Sequence, residues 1–176
     1  DNPLIVHVSS EKMLRSLVLE VPDAAEKLMV LWPGPLTIVM RKNQIIPDIT
    51  SAGLNTVGIR IPAHPVFSEL IHACNLPIAA PSANRFGRPS PTTAQHVMEN
   101  MSGRIPFILD GGKCDVGIES TIIDVTKEVP MLLRPGKISV EIIEEMIGPI
   151  ELHPSVNNPK QKLETALAPG MKYRHY

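Results

Sequence analysis

Hydroxyls, amides and guanidinium groups crowd one short stretch of this sequence. From Pro77 to Pro91 it reads Pro-Ile-Ala-Ala-Pro-Ser-Ala-Asn-Arg-Phe-Gly-Arg-Pro-Ser-Pro. The apolar run Ile78 to Ala80 leads into Ser82 and Asn84, passes Arg85, Gly87 and Arg88, and meets Ser90-Pro91 ahead of a helical pattern. Strand, polar loop and helix start in that order leave free backbone N–H groups beside side-chain donors, an arrangement that holds an anion. The ligand chemistry this predicts is phosphate or carboxylate. Further polar groups stand at the ends of strand-like runs: His7 after Leu4-Ile5-Val6, Arg60 after Thr56-Val57-Gly58-Ile59, Ser120 before Thr121, and Arg134 after Met131 to Leu133. Strand ends are where α/β sheets gather ligand-binding residues.

The elements that must position these groups follow from periodicity. Helical spacing runs through Glu11 to Glu20 and Ala24 to Trp32, with Leu14, Leu17, Val18, Leu28, Leu31 and Trp32 on the apolar faces, and Pro33-Gly34-Pro35 stops the second helix. Leu4 to Val8, Leu36 to Met40 and Val57 to Ile61 read as strands, and His64 to Asn75 repeats Val66, Phe67, Leu70, Ile71 and Cys74 at helical spacing. Ser90 is placed to cap a helix with Pro91 at its first position, running to about Met101. Strands are then expected at Pro106 to Leu109, Thr121 to Val125 and Met131 to Leu133, with a last helix from Ser139 through Met146. These late strands follow one another too closely for helical crossovers, so the α/β fold should carry a mixed sheet. From His153 periodicity vanishes, and 153–176 reads as a solvated linker whose aromatic, basic end has something to dock on.

At 176 residues, 43% hydrophobic and 20% charged, the chain suits one soluble domain, here 1–152, with the tail beyond it. A net charge of −1 supplies no global basic field, so stable direct nucleic-acid binding is not expected. No run approaches the roughly 20 apolar residues of a membrane span, and no signal peptide is visible. Cys74 and Cys114 lack Cys-x-x-Cys spacing, and Cys74 falls on an apolar helix face, so a buried or idle thiol in a reducing cytoplasm is expected. The six histidines form no ligand pair, and no protein-built metal site is visible.

Taken together, Asn2-Pro-Leu-Ile-Val-His7, Thr56-Val-Gly-Ile-Arg60, Pro81-Ser-Ala-Asn84, Glu119-Ser-Thr121 and Arg134-Pro-Gly136 resemble the YrdC-like threonylcarbamoyl-AMP synthase family over residues 1 to 150. The terminal Ala168-Pro-Gly-Met-Lys-Tyr-Arg-His-Tyr176 looks like the linker of its longer, two-domain members. The resemblance implies a YrdC-like twisted open mixed sheet flanked by helices. It also implies a nucleotidyltransferase that condenses L-threonine, bicarbonate and ATP into threonylcarbamoyl-AMP and pyrophosphate. Mg²⁺ would arrive with ATP, and the product would pass to the machinery that transfers threonylcarbamoyl groups to tRNA. Family members place a Thr-containing strand and a Lys-x-Arg motif ahead of the Asn-Pro pair that is Asn2-Pro3 here. The expectation is therefore that this sequence starts inside a longer protein.

By the same resemblance, Arg60 pairs with the threonine carboxylate, His7 and Ser120 line the amino-acid pocket, and Ala80 presents backbone to it. Asn2, Thr56, Ser82, Ser90 and Arg134 match the nucleotide side, with Tyr173 or Tyr176 folding back as a lid. Asn84 either donates to phosphate or holds its own loop, and Ser90 reads equally as a helix cap or a ligand contact. Trp32 reads as a core residue at a helix stop. Two other functions remain open: a carbamoyl-transfer module using carbamoyl phosphate and ATP, and a noncatalytic RNA-binding module.

Overall fold

The computed structural model describes residues 2–85, 87–157 and 166–171. Its strands are β1 (Ile5–His7), β2 (Leu36–Arg41), β3 (Thr56–Arg60), β4 (Ile78–Ala80), β5 (Thr121–Asp124), β6 (Met131–Arg134) and β7 (Glu151–Leu152). The helices are α1 (Glu11–Leu17), α2 (Asp23–Leu28), α3 (Asp48–Ser51), α4 (Pro65–Cys74), α5 (Ala94–Met101), α6 (Val140–Ile147) and α7 (Pro154–Asn157), with a 3₁₀ turn at Met29–Leu31. The strands form one open seven-stranded sheet in the order β4-β1-β3-β2-β5-β6-β7. It is mixed, as expected: β1–β3, β2–β5 and β6–β7 are parallel, while β1–β4, β2–β3 and β5–β6 are antiparallel.

Alternation along the strands sends side chains to two different faces. Val6, Ile38, Met40, Val57, Ile59, Ile123 and Leu132 pack against Leu14 and Leu17 of α1, Ala25 and Leu28 of α2, and Ile143 of α6. This helix-packed face holds the larger core. Ile5, Val39, Ile122 and Leu133 look the other way and are covered by Ala166, Ala168 and Met171. The second face thus has its apolar part sealed by a strap from the chain's end, leaving the polar part beside it open.

The structure departs from the sequence expectations at several places. The fifth helix starts at Ala94, not Ser90; Thr93 is the cap, its Oγ1 accepting the His96 N–H at 3.2 Å. β-Branched Thr92 and Thr93 are poor helix formers, and the helix begins at the first favourable residues. Pro106 to Leu109 is not a strand, because the run has no ladder partner; Phe107 and Leu109 are exposed. Cys74 is exposed rather than buried, since only Ile71 of α4 reaches the interior. His153 does not start a solvated linker. The His153 N–H donates to the Leu132 carbonyl at 2.9 Å and α7 follows at once, an element too short to leave a period in the sequence. Among the described residues no helix is long and apolar enough to cross a membrane.

Candidate functional site

Strand register brings the polar strand ends into a single row. His7 lies opposite Arg60 across β1–β3, and the β2–β3 pairing, carried one residue past Ile38↔Ile59, sets Thr37 opposite Arg60. Thr37 is level with Ile122 of β5, and Ile122 with Arg134 of β6. His7, Arg60, Thr37 and Arg134 therefore cross five neighbouring strands on the face opposite the one packed by α1, α2 and α6.

Arg134 reaches that face only through a β-bulge. Strict alternation would put Leu133 and Arg134 on opposite faces, but the β5–β6 register shifts between Ile122 and Ile123, so Leu133 and Arg134 together oppose Ile122. A bulge of this kind bends the strand and re-aims a side chain. Here it turns the guanidinium toward Ser120 and the strap.

His7, Arg60 and Arg134 of this row line a cavity of about 430 Å³ whose walls also include Asn2, Ala80, Ser82, Asn84, Ser90, Glu119, Ser120, Pro169 and Gly170. Every site residue expected from sequence and described by the structure lines it, with one exception. Thr56 lies at the far end of β3, paired with Arg41 and outside the lining. Tyr173 and Tyr176 fall outside the described residues.

His7 is nearly buried, with its ring edge-on to Phe67 of α4 at 5.0 Å. Burial, and then the Arg60 charge, lower its pKa to about 4, against a smaller opposing effect of the Ile78 carbonyl. The ring is thus neutral near pH 7. Its Nδ1 lies 3.3 Å from the Ile78 carbonyl, which can only accept, so Nδ1 carries the proton and Nε2 is left as an acceptor. A lowered pKa means that protonation opposes folding, and the folded state should lose stability as pH falls from about 6.5 to about 4. Unfolding free energies measured across that interval should fall by about 3 kcal/mol more for the wild type than for His7→Gln. Parallel curves for the two proteins would exclude this role.

Arg60 is held at one end only. Its Nε donates to the Gly34 carbonyl at 2.9 Å, and among the described residues its two terminal nitrogens have no hydrogen-bond acceptor. Burial and the Arg134 charge both disfavour a second cation here, lowering the Arg60 pKa. Such a guanidinium is a fork waiting for a planar anion, and a carboxylate fits it bidentately. Gly34 is required at its own position because a Cβ there would run into the Leu31 carbonyl oxygen. Trp32 packs on the core and donates Nε1–H to the Leu36 carbonyl at 2.7 Å, fixing the same turn. The Trp-Pro-Gly-Pro segment is therefore more than a helix stop.

Arg134 is a clamp. Its Nε and Nη2 donate to the Ser120 carbonyl at 3.1 and 3.0 Å, Nη2 also to Ser120 Oγ at 3.1 Å, and Nη1 to the Pro169 carbonyl at 3.0 Å. Nη1 is also 3.0 Å from the Glu119 carboxylate, whose other oxygen accepts from Ser90 Oγ at 3.3 Å. Ser120 Oγ is further tied to Thr37 Oγ1 at 2.9 Å. Ser90 thus serves the Glu119 carboxylate rather than a helix start. Asn84 holds its own loop, donating Nδ2–H to the carbonyls of Arg85 and Arg88. Its Oδ1, like that of Asn2, is buried with no donor among the described residues. Buried amide oxygens of this kind invite an N–H or O–H from a ligand.

Sequence reasoning did not single out Gly34, Thr37, Phe67, Glu119, Pro169 or Gly170. Gly34, Glu119, Pro169 and Gly170 stand in segments that the sequence marks out, but residue type and spacing give none of them a role at the site. The described residues contain no group of His, Cys, Asp and Glu able to hold a metal ion. Glu119 is the sole carboxylate among the described lining residues and is engaged with Arg134.

Several known proteins are similar to this chain. The chain is 50% identical to the threonylcarbamoyl-AMP synthase of Pyrococcus abyssi over 177 residues, covering all of this chain and 52% of that protein. It is 46% identical to the enzyme of the same name from Bacillus subtilis, covering 51% of it. The solved structure of P. abyssi Sua5 complexed with L-threonine superimposes with a TM-score of 0.95 at 50% identity, over 99% of this chain and 51% of that one. The chain spans about half the length of these relatives. The Sua5/YciO/YrdC family model, described as "Telomere recombination", matches residues 1–136, which contain all four members of the polar row, and the chain belongs to that family.

Proposed function

We propose that the protein is a threonylcarbamoyl-AMP synthase, a nucleotidyltransferase that joins L-threonine, bicarbonate and ATP into threonylcarbamoyl-AMP with release of pyrophosphate and water. The observation that carries this reading is the half-held Arg60 fork set opposite a neutral His7 in one strand row. The threonine carboxylate pairs with the open end of Arg60, and His7 Nε2 accepts a hydrogen bond from the amino acid. Ser120 Oγ and the Ala80 backbone complete that half of the cavity.

The nucleotide takes the other half, where Ser82, Ser90 and Arg134 face phosphate oxygens, while Asn84, its Nδ2 hydrogens spent on the Arg85 and Arg88 carbonyls, shapes the loop. The orphan Asn2 Oδ1 receives an N–H or O–H of the nucleoside. Thr56, on the same sheet face but beyond the cavity, serves the nucleotide only if its phosphates extend along β3. Magnesium enters as part of the substrate, MgATP. The threonine amine is carboxylated first, and a carbamate oxygen then attacks the α-phosphorus as pyrophosphate leaves. That nucleophile is already anionic, so the chemistry asks the protein for alignment and charge neutralisation rather than for a dedicated base. Threonylcarbamoyl-AMP then passes to the tRNA threonylcarbamoyl-transfer machinery in the cytoplasm.

The intact protein should release pyrophosphate from ATP only when threonine and bicarbonate are both supplied. Serine should be a poor substitute, because losing the methyl group forfeits roughly 1 kcal/mol of apolar burial. Pyrophosphate release at the same rate without threonine would rule the reading out.

A further inference from the structure

We propose that Glu119 is an internal competitor of the nucleotide: on Arg134 and Ser90 its carboxylate takes the place that a phosphate group would take, and binding must displace it. This rests on the nucleotide reading of that half of the cavity. Two of the donors assigned to phosphate converge on this one carboxylate, Arg134 Nη1 at 3.0 Å and Ser90 Oγ at 3.3 Å. A carboxylate and a phosphate edge offer the same acceptor geometry to a guanidinium.

The alternative role for Glu119, as the group that positions Arg134, is not what the contacts favour. The guanidinium is already fixed by the Ser120 carbonyl, Ser120 Oγ and the Pro169 carbonyl. Removing Glu119 would leave those bonds in place and change mainly the charge. The pair is largely withdrawn from water, with side-chain exposures of 13% for Arg134 and 22% for Glu119, so that charge is poorly screened. Displacement needs only a side-chain rotation. The neighbouring backbone is pinned by the Thr121 N–H to the Pro35 carbonyl at 2.9 Å and by Arg134 on the Ser120 carbonyl. Glu119 thereby sets how strongly the site holds phosphate: an anion that merely pairs with Arg134 gains little over the resident carboxylate, whereas a nucleotide that also fills the rest of the cavity can displace it.

The test is calorimetric titration of the intact wild type, Glu119→Gln and Glu119→Asp with MgATP and, separately, with inorganic pyrophosphate. Glu119→Gln keeps the shape and removes the charge, and should bind both ligands about tenfold more tightly, in line with one charge-assisted hydrogen bond no longer contested. Glu119→Asp, a methylene too short to reach both donors, should tighten binding by less. Unchanged or weaker binding of both ligands by Glu119→Gln overturns the proposal and assigns Glu119 a positioning role. If Glu119→Gln does not fold, Glu119→Asp decides by the same criterion. Tighter pyrophosphate binding by the variant, with ATP bound by neither protein, would support the competitor and sink the synthase reading. ATP bound equally by wild type and Glu119→Gln would do the reverse.

Discussion

Arg60→Ala is expected to weaken L-threonine binding by about 2 to 5 kcal/mol while changing ATP binding far less, because the lost partner belongs to a partly desolvated charge pair. The asymmetry follows from how the side chain is mounted. Among the described residues Arg60 makes one hydrogen bond, through Nε to a backbone carbonyl, so truncation leaves the cavity walls standing and removes only the open fork. Arg134→Ala should behave differently. It severs the bonds that tie Ser120 and Pro169 together, so ATP binding, thermal stability and some threonine affinity should fall together. Calorimetric titration of each variant with each ligand separates the two cases. Equal loss of both ligands in Arg60→Ala would show that this residue supports the fold instead of reading the carboxylate.

A single methyl group at position 136 should be still more damaging. A Cβ on Gly136 would press on the Thr121 backbone nitrogen and come within 2.6 Å of the Glu119 carbonyl oxygen and the Ser120 carbonyl carbon. None of these atoms can swing aside as a side-chain tip could. Gly136→Ala must therefore shift the segment that carries Glu119 and Ser120, and is expected to cost about 3 kcal/mol or more in urea unfolding and to abolish binding of both ligands. Gly117→Ala is the control: a Cβ there meets nothing within 4 Å, and the change should stay within about 0.5 kcal/mol. Near-wild-type stability of Gly136→Ala would mean that this segment tolerates movement.

Much of the architecture could be read from the chain because its elements carry their own punctuation. The alternating burial of β3 and the Pro and Asn that bound α4 place these elements within a residue or two of their expected ends. Ser139 caps α6 as anticipated. The strand-end positions of His7, Arg60 and Ser120 were also legible, since an end is a property of local sequence. The direction in which Arg134 points was not. Period-2 alternation assigns it to the helix-packed face, and the bulge that reverses this depends on pairing with β5, a long-range fact. The role of Glu119 was hidden for a similar reason: one partner, Ser90, lies 29 residues before it, and the other, Arg134, lies at the end of β6, beyond the whole of β5. The strap from Ala166 to Met171 has too few residues for any period, and its burial follows only from the uncovered face of the sheet.

The row from His7 to Arg134 has a thermodynamic corollary. Its members come from strands that are neighbours in space but scattered along the chain, and their alignment exists only when β1, β3, β2, β5 and β6 are all in register. No partly folded form that has lost one of these strands can keep the complete set of contacts. A substrate gripping the whole row should therefore bind the native state alone, and its binding energy should be added in full to global stability. At a hundred times its dissociation constant, such a ligand would contribute about 2.7 kcal/mol, enough for the melting temperature to serve as a gauge of occupancy.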